Sequence, residues 1–97
     1  MHIEIFLMKK RKLGNTNIHL SALGFGGAPI GNLFEKLDDV TCYKTLERCN
    51  DSNINFYDTS PYYGYGLSEH RLGNFLKTLK SDSYYLSTKV GRYLTPE

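Results

Sequence analysis

The sequence predicts an α/β protein in which parallel strands form a sheet and helices pack outside it. Three apolar runs rich in strand-forming residues alternate with two segments of helical periodicity, and a turn-rich hairpin precedes them. Repeated strand–helix alternation makes successive strands parallel, because each helix returns the chain to the same edge of the sheet. The predicted order is therefore a hairpin, then strand–helix, strand–helix and a final strand.

The hairpin is predicted from residues 11–13 and 18–20, which flank the segment Gly14-Asn15-Thr16-Asn17. All four residues of this segment are strong turn formers. The first strand of the sheet, residues 23–28, contains three glycines, so we expect another group to approach its backbone closely. Pro29 ends this strand, because proline has no N–H to donate to a ladder.

The first helix is predicted to extend from a cap at Asp38 or Asp39 to about Asp51. Asn53 takes the place of the usual glycine stop, since asparagine tolerates the left-handed conformation. The apolar positions at helical spacing, which we expect to face the core, are Val40, Tyr43, Leu46 and Cys49.

The second strand is predicted over residues 54–58, and the second helix over residues 69–80 with Ser68 as its cap. The apolar face of this helix consists of Leu72, Phe75, Leu76 and Leu79. The third strand is predicted over residues 84–90, and a glycine closes it.

Composition argues against several classes of protein. The chain is 40% hydrophobic, as globular domains are, so wholesale disorder is not expected. The net charge is +2 and the basic run at residues 9–12 is short, which favours a solvated strand edge and no nucleic-acid partner. No segment is long and apolar enough to span a bilayer, and no signal-peptide cleavage site follows the apolar start. We therefore expect no membrane association and a cytoplasmic location.

Residues 1–8 are predicted to be an N-terminal extension, and residues 9–97 a partial domain. Cys42 and Cys49 are seven residues apart in a predicted helix, two turns along its axis, which is too far for them to bridge readily. Two unpaired cysteines fit a reducing compartment, and we expect both to fill space in the core.

An acid and a base end successive predicted strands. Asp58 closes the second strand and Lys89 lies near the end of the third. Neighbouring strands are roughly 5 Å apart, so these side chains can meet, and each stabilises the charge of the other. A tyrosine in the intervening loop would lie near the ammonium, which favours the phenolate form and suits general acid–base work. The alternative is a surface salt bridge beside a tyrosine-rich loop.

These segments resemble the N-terminal part of the aldo-keto reductases, over residues 11–94. The matching stretches are RKLG with SALGFG, then FYDTSPYYG, then SE at positions 68 and 69, then STKVG. All of them occur in the family's order and spacing. The runs GGAPIGNLF and YGYGLSEHRLG are most similar to the branch of aldose, fucose and pyridoxal dehydrogenases.

The resemblance implies a TIM (β/α)₈ barrel, of which this chain supplies the hairpin and about three strand–helix units. A complete barrel of this kind has about 250 residues. It also implies NADP or NAD as cofactor, bound without a glycine-rich Rossmann turn, and a small carbonyl or sugar as substrate. The activity implied is direct hydride transfer between the nicotinamide and a carbonyl carbon.

Residue by residue, the resemblance places Tyr63 as the catalytic tyrosine, Lys89 as the lysine beside it and Asp58 as the partner of that lysine. The neighbouring tyrosines are expected to be packing or substrate-wall residues. The cofactor-binding positions implied are Gly26, Gly27, Ala28 and Asp58. For the glycines, simple barrel packing is the alternative. The family's catalytic histidine lies on the following strand, beyond the last residue of this sequence.

For the 97-residue chain by itself there are two alternatives to an enzyme: an inactive truncated remnant and a non-catalytic, cofactor-binding regulatory subunit. Part of a barrel leaves sheet edges unpaired and residues such as Phe56 and Leu86 packed against too little, so its stability should be low. We expect the purified chain to lack turnover of NAD(P)H with an aldehyde panel. A cooperative thermal transition above about 45 °C together with turnover would contradict this expectation.

Overall fold

The computed structural model describes residues 8–92 and 94–96. Most of the predicted N-terminal extension thus lies outside the described residues. The strands are β1 (Lys10–Lys12), β2 (His19–Ser21), β3 (Phe25–Gly26), β4 (Phe56–Asp58) and β5 (Tyr85–Ser87). The helices are α1 (Asp39–Asp51) and α2 (Leu67–Leu76), and a 3₁₀ turn spans Pro29–Gly31. The strands β1 and β2 form an antiparallel hairpin, and β3, β4 and β5 form a parallel sheet in that order. The predicted order of elements is confirmed.

The two faces of the parallel sheet differ in what covers them. Asp58 is in register with Gly26 on one side and Ser87 on the other, so these three residues share a face. Tyr57 points to the opposite face and is fully buried there. The side chains that form this core, all from α1, α2 and the 3₁₀ turn, are Ile30, Cys42, Leu46, Leu72, Phe75 and Leu76. The helices thus cover the face of Tyr57, and the strand ends on the face of Asp58 are more open.

Helix α1 begins as predicted, and its predicted core face is confirmed in part, since Leu46 is buried and Cys49 packs against the core. The Asp38 side chain caps it by accepting from the Thr41 N–H at 2.7 Å. The prediction that Val40 and Tyr43 face the core is wrong, since Val40 is 62% and Tyr43 40% exposed. Cys42, four residues before Leu46 and therefore on the same face, takes the inward position instead.

Helix α2 begins at Leu67, and the prediction that Ser68 caps it is wrong. The cap position is Gly66, whose φ of +95° suits a glycine. The Ser68 hydroxyl is fully buried and donates to the Gly27 carbonyl oxygen at 2.8 Å, so it is not available to the helix end. The predicted apolar face is otherwise correct, although the helix ends at Leu76.

The strands of the parallel sheet are shorter than predicted. Strand β3 covers two residues, and β5 ends at Ser87, so Lys89 lies two residues beyond the strand. Backbone hydrogen bonds nevertheless continue past the strand ends, from Gly27 N to Asp58 O at 2.7 Å and from Thr59 N to Ser87 O at 2.9 Å. Within the described ranges, no helix has the length and apolar character needed to cross a membrane.

Candidate active site

The carboxyl ends of β4 and β5 bring Asp58 and Lys89 together. The Lys89 ammonium donates to Asp58 Oδ2 at 3.0 Å and to the Thr59 carbonyl oxygen at 2.9 Å. The side chains of Lys89 and Asp58 are 48% and 40% exposed, respectively. The ammonium is therefore held by two acceptors at the open rim of the sheet.

A second partner of Asp58 is Ser87, which the sequence analysis did not single out. Its hydroxyl donates to Asp58 Oδ1, leaving Oδ2 for the lysine. This hydrogen bond is the main reason why the pKa of Asp58 is below its ordinary value, and Lys89 lowers that pKa further. The hydrogen bond that Lys89 donates to Asp58 is the main cause that raises the pKa of Lys89. The parallel register, which no local pattern of the sequence shows, places Ser87 directly beside Asp58.

Tyr63 is the tyrosine that the loop after β4 places next to this ion pair. The Lys89 ammonium lies 5.2 Å from the centre of the Tyr63 ring. A cavity of about 300 Å³ opens beside them. The residues that line it are Ser60, Pro61, Tyr62, Tyr63, Lys89, Val90 and Arg92.

The neighbouring tyrosines have other environments. Tyr62 is 46% exposed, and its ring lies 4.5 Å from the Arg92 guanidinium. Tyr65 is 77% exposed. Tyr57 is buried in the core, and this burial raises its pKa to about 12. Of these four tyrosines, Tyr63 is the one whose ring lies beside the Lys89 ammonium, and it also lines the open cavity.

Hydrogen bonds fix the backbone around Tyr63. Its N–H donates to the Ser60 carbonyl oxygen and its own carbonyl oxygen accepts from the Ser68 N–H, both at 3.1 Å. The chain then turns through positive φ angles at Gly64 and at the next two residues. The loop is thereby joined to the first turn of α2.

The two glycines at the end of β3 have different surroundings. A Cβ on Gly26 would meet no heavy atom within 4 Å, on the face that holds Asp58. A Cβ on Gly27 would lie 2.6 Å from Ser68 Oγ and 2.9 Å from the Asp58 carbonyl oxygen. The open surface at Gly26 fits the approach of a flat ring such as nicotinamide. Packing is sufficient to exclude a Cβ at Gly27. Cofactor binding at Gly27 and at the half-buried Ala28 stays a prediction.

The described residues hold no group of three or more histidine, cysteine, aspartate or glutamate side chains arranged to bind a metal ion. The rim brings together an ammonium, a carboxylate and a phenol beside an open glycine backbone.

A family model described as the aldo/keto reductase family matches residues 22–97. The match covers most of the sequence and includes every residue of the site described above. The chain belongs to the aldo/keto reductase family.

Curated relatives support this assignment. The chain is 51% identical over 81 residues to D-threo-aldose 1-dehydrogenase from Pseudomonas sp, covering 84% of this chain and 25% of the relative. It is 41% identical over 97 residues to pyridoxal 4-dehydrogenase from Microbacterium luteolum, covering 100% of this chain and 28% of the relative. It is 45% identical over 85 residues to L-galactose dehydrogenase from Arabidopsis thaliana, covering 86% and 27%. The chain thus spans about a quarter of the length of these relatives.

Solved structures give the same result for the fold. The holo form of an aldo-keto reductase from Bacillus halodurans superimposes with a TM-score of 0.79 at 32% identity, over 92% of this chain and 28% of that one. A glycerol dehydrogenase from Gluconobacter oxydans gives a TM-score of 0.73 at 28% identity, over 92% and 27%. The predicted fold class, the N-terminal portion of a TIM barrel, is confirmed.

The two glycines of β3 give a test of packing against accessibility. The test uses a chimera, called here the barrel chimera, in which this chain replaces the matching N-terminal segment of the Pseudomonas D-threo-aldose 1-dehydrogenase. Gly27→Ala should lower its free energy of unfolding by about 1–3 kcal/mol, because the new methyl group overlaps buried Ser68. Gly26→Ala is the matched control and should change it by less than about 0.5 kcal/mol. Urea unfolding of both variants decides this, and equal losses would contradict the assignment of the two environments.

Proposed function

We propose that this chain forms the proton-transfer part of an NAD(P)-dependent oxidoreductase that interconverts a carbonyl and an alcohol or lactol. The supporting observation is the Lys89 ammonium, which lies between the Asp58 carboxylate at 3.0 Å and the Tyr63 ring at 5.2 Å. A phenol beside a fixed ammonium is suited to general acid–base catalysis.

Tyr63 is the proposed acid and base. In the reducing direction its phenol donates a proton to the carbonyl oxygen, and in the oxidising direction its phenolate removes the proton from the hydroxyl. Lys89 stabilises the phenolate by its charge. When bound, a nicotinamide supplies or accepts the hydride, and Gly26 is proposed to leave room for its ring.

Asp58 keeps Lys89 charged and in place. Two of the three N–H donors of Lys89 are used by Asp58 and Thr59, so one remains for the phenol oxygen of Tyr63. Ser87 orients the Asp58 carboxylate by binding its other oxygen. The arrangement provides a fixed positive charge beside the phenol.

The proposed substrates are aldoses and related small carbonyl compounds. Three relatives that are 41–51% identical are named for aldose, pyridoxal and galactose oxidation. The cavity of about 300 Å³ beside Tyr63 has room for such a molecule, and Tyr62 and Arg92 in its wall offer a stacking face and hydrogen-bond donors. We also propose a cytoplasmic location, which fits the two free cysteines, Cys42 and Cys49.

The role of Tyr63 is tested by removing one hydroxyl. In the barrel chimera, Tyr63→Phe should lower the rate of aldose oxidation by about 10²-fold or more, because the proton acceptor is lost. Binding of the dinucleotide, measured by fluorescence titration, should be largely unchanged. Tyr62→Phe is the matched control, since it removes a hydroxyl from the adjacent ring. If Tyr62→Phe were the inactive variant, the assignment would be wrong.

The ion pair predicts a pH effect. The Asp58 carboxylate raises the pKa of Lys89, so the ammonium persists to higher pH than a lysine without this partner. In Asp58→Asn this cause is removed, the pKa of Lys89 falls, and the charge is lost at lower pH. The alkaline limb of the kcat/KM profile of the barrel chimera should therefore move to lower pH. Ser87→Ala is the control, because it leaves the carboxylate charged. An alkaline limb that stays in place in Asp58→Asn would contradict the role of this pair.

A further inference from the structure

One arginine of α2, Arg71, donates hydrogen bonds to three residues of the loop that follows β3. The Arg71 side chain is 11% exposed, and its guanidinium makes four hydrogen bonds of 2.8–3.0 Å. The acceptors are the Ile30 carbonyl oxygen, Asn32 Oδ1, the Leu37 carbonyl oxygen and Asp39 Oδ1. Three of the four acceptors lie within residues 30–37, which we call the β3–α1 loop.

Asn32 closes the β3–α1 loop on itself. Its backbone is left-handed, with φ of +60°, and its side-chain oxygen accepts both from Arg71 and from the Leu37 N–H at 3.0 Å. The planar fork of the guanidinium, with its five N–H donors, reaches two backbone carbonyl oxygens and one side-chain amide oxygen of this loop at once. A lysine at position 71 would keep the charge but satisfy fewer of these acceptors.

The β3–α1 loop in turn touches the backbone of Tyr63. A Cβ on Gly31 would lie 2.6 Å from both the carbonyl carbon and the carbonyl oxygen of Tyr63. A Cβ on Gly64 would overlap the Gly31 carbonyl oxygen. The two backbones therefore cross in direct contact at a pair of glycines, immediately beside the proposed proton donor.

We propose that Arg71 is a positioning residue for proton transfer. The hydrogen bonds of Arg71 hold the β3–α1 loop, and with it Gly31, in one position. Because Gly31 contacts the backbone of Tyr63 and Gly64, this position determines the distance between the Tyr63 phenol and the Lys89 ammonium. The proposal rests on the proposed function of Tyr63. Displacement of a reacting group by about 1 Å can cost about 10²-fold in rate, so support of this kind affects catalysis as well as stability.

Asp39 provides a matched control for the charge of Arg71. Its side chain is 87% exposed, and exposed ion pairs contribute little. Asp39→Asn therefore removes the salt bridge while the three hydrogen bonds to the β3–α1 loop remain. Asn32→Gly tests the loop from its other end, since glycine keeps the left-handed backbone and lacks the side-chain oxygen.

The test compares Arg71→Lys, Asn32→Gly and Asp39→Asn in the barrel chimera. Arg71→Lys and Asn32→Gly should each lower kcat per active site by about tenfold or more, with the KM for the dinucleotide within about twofold of the unsubstituted chimera. Asp39→Asn should retain full kcat. Hydrogen exchange in the peptide covering residues 60–68 should be faster in the first two variants and unchanged in the third.

A merely structural role would lower the melting temperature or the yield of active enzyme and leave kcat per active site unchanged. That result, or exchange at residues 60–68 that matches the unsubstituted chimera, would overturn the proposal. Failure of the proposed function has a different signature, namely full activity in Tyr63→Phe. In that case the exchange comparison still decides whether Arg71 positions the Tyr63 backbone. If Arg71→Lys does not fold, Asn32→Gly gives the same decision.

Discussion

The parallel register of β3, β4 and β5 is the constraint on which the rest of the site depends. It places Gly26, Asp58 and Ser87 in one row across the sheet, so an open backbone, a carboxylate and a hydroxyl lie side by side. A shift of one residue in any strand would turn its member of this row toward the helices. Tyr57 is paired with Phe25 and points to the opposite face of the sheet, where its ring is buried under the helices. A one-residue shift of β4 would remove this ring from the core, so the burial of Tyr57 stabilises the observed register.

Side chains of helix α2 hold the chain segments that follow β3 and β4 in position. Ser68 and Arg71 are three residues apart and so lie on one side of the helix. Ser68 binds the Gly27 carbonyl oxygen and shares a hydrogen bond with Thr59 Oγ1 at 2.6 Å, while Arg71 binds the β3–α1 loop. Both polar anchors are buried or nearly so, where an unmet hydrogen bond would be costly. The helix therefore contributes specific contacts to the site as well as an apolar face to the core.

The ion pair at the strand ends contributes to chemistry more than to stability. Asp58 and Lys89 are 40% and 48% exposed, and pairs with this degree of exposure add little to the free energy of unfolding. Their geometry is nevertheless well defined, because each oxygen of Asp58 has its own donor and the ammonium has a second acceptor in Thr59. A charge held in one place beside a phenol is what the proposed proton transfer requires.

The sequence by itself determined the order of the elements, the α/β class and the meeting of Asp58 with Lys89, because strand–helix alternation and the position of a residue at a strand end are local properties. The barrel was expected only from the resemblance to the aldo-keto reductases. Only the tertiary structure decided the roles of Ser87, Ser68 and Arg71. These side chains bind groups 29 to 41 residues away in the chain, and no local pattern shows which distant carbonyl or carboxylate a polar side chain will meet. The same reason explains the error at Ser68. Serine is a common helix cap, but the hydroxyl of this serine donates to the buried carbonyl oxygen of Gly27, just after β3.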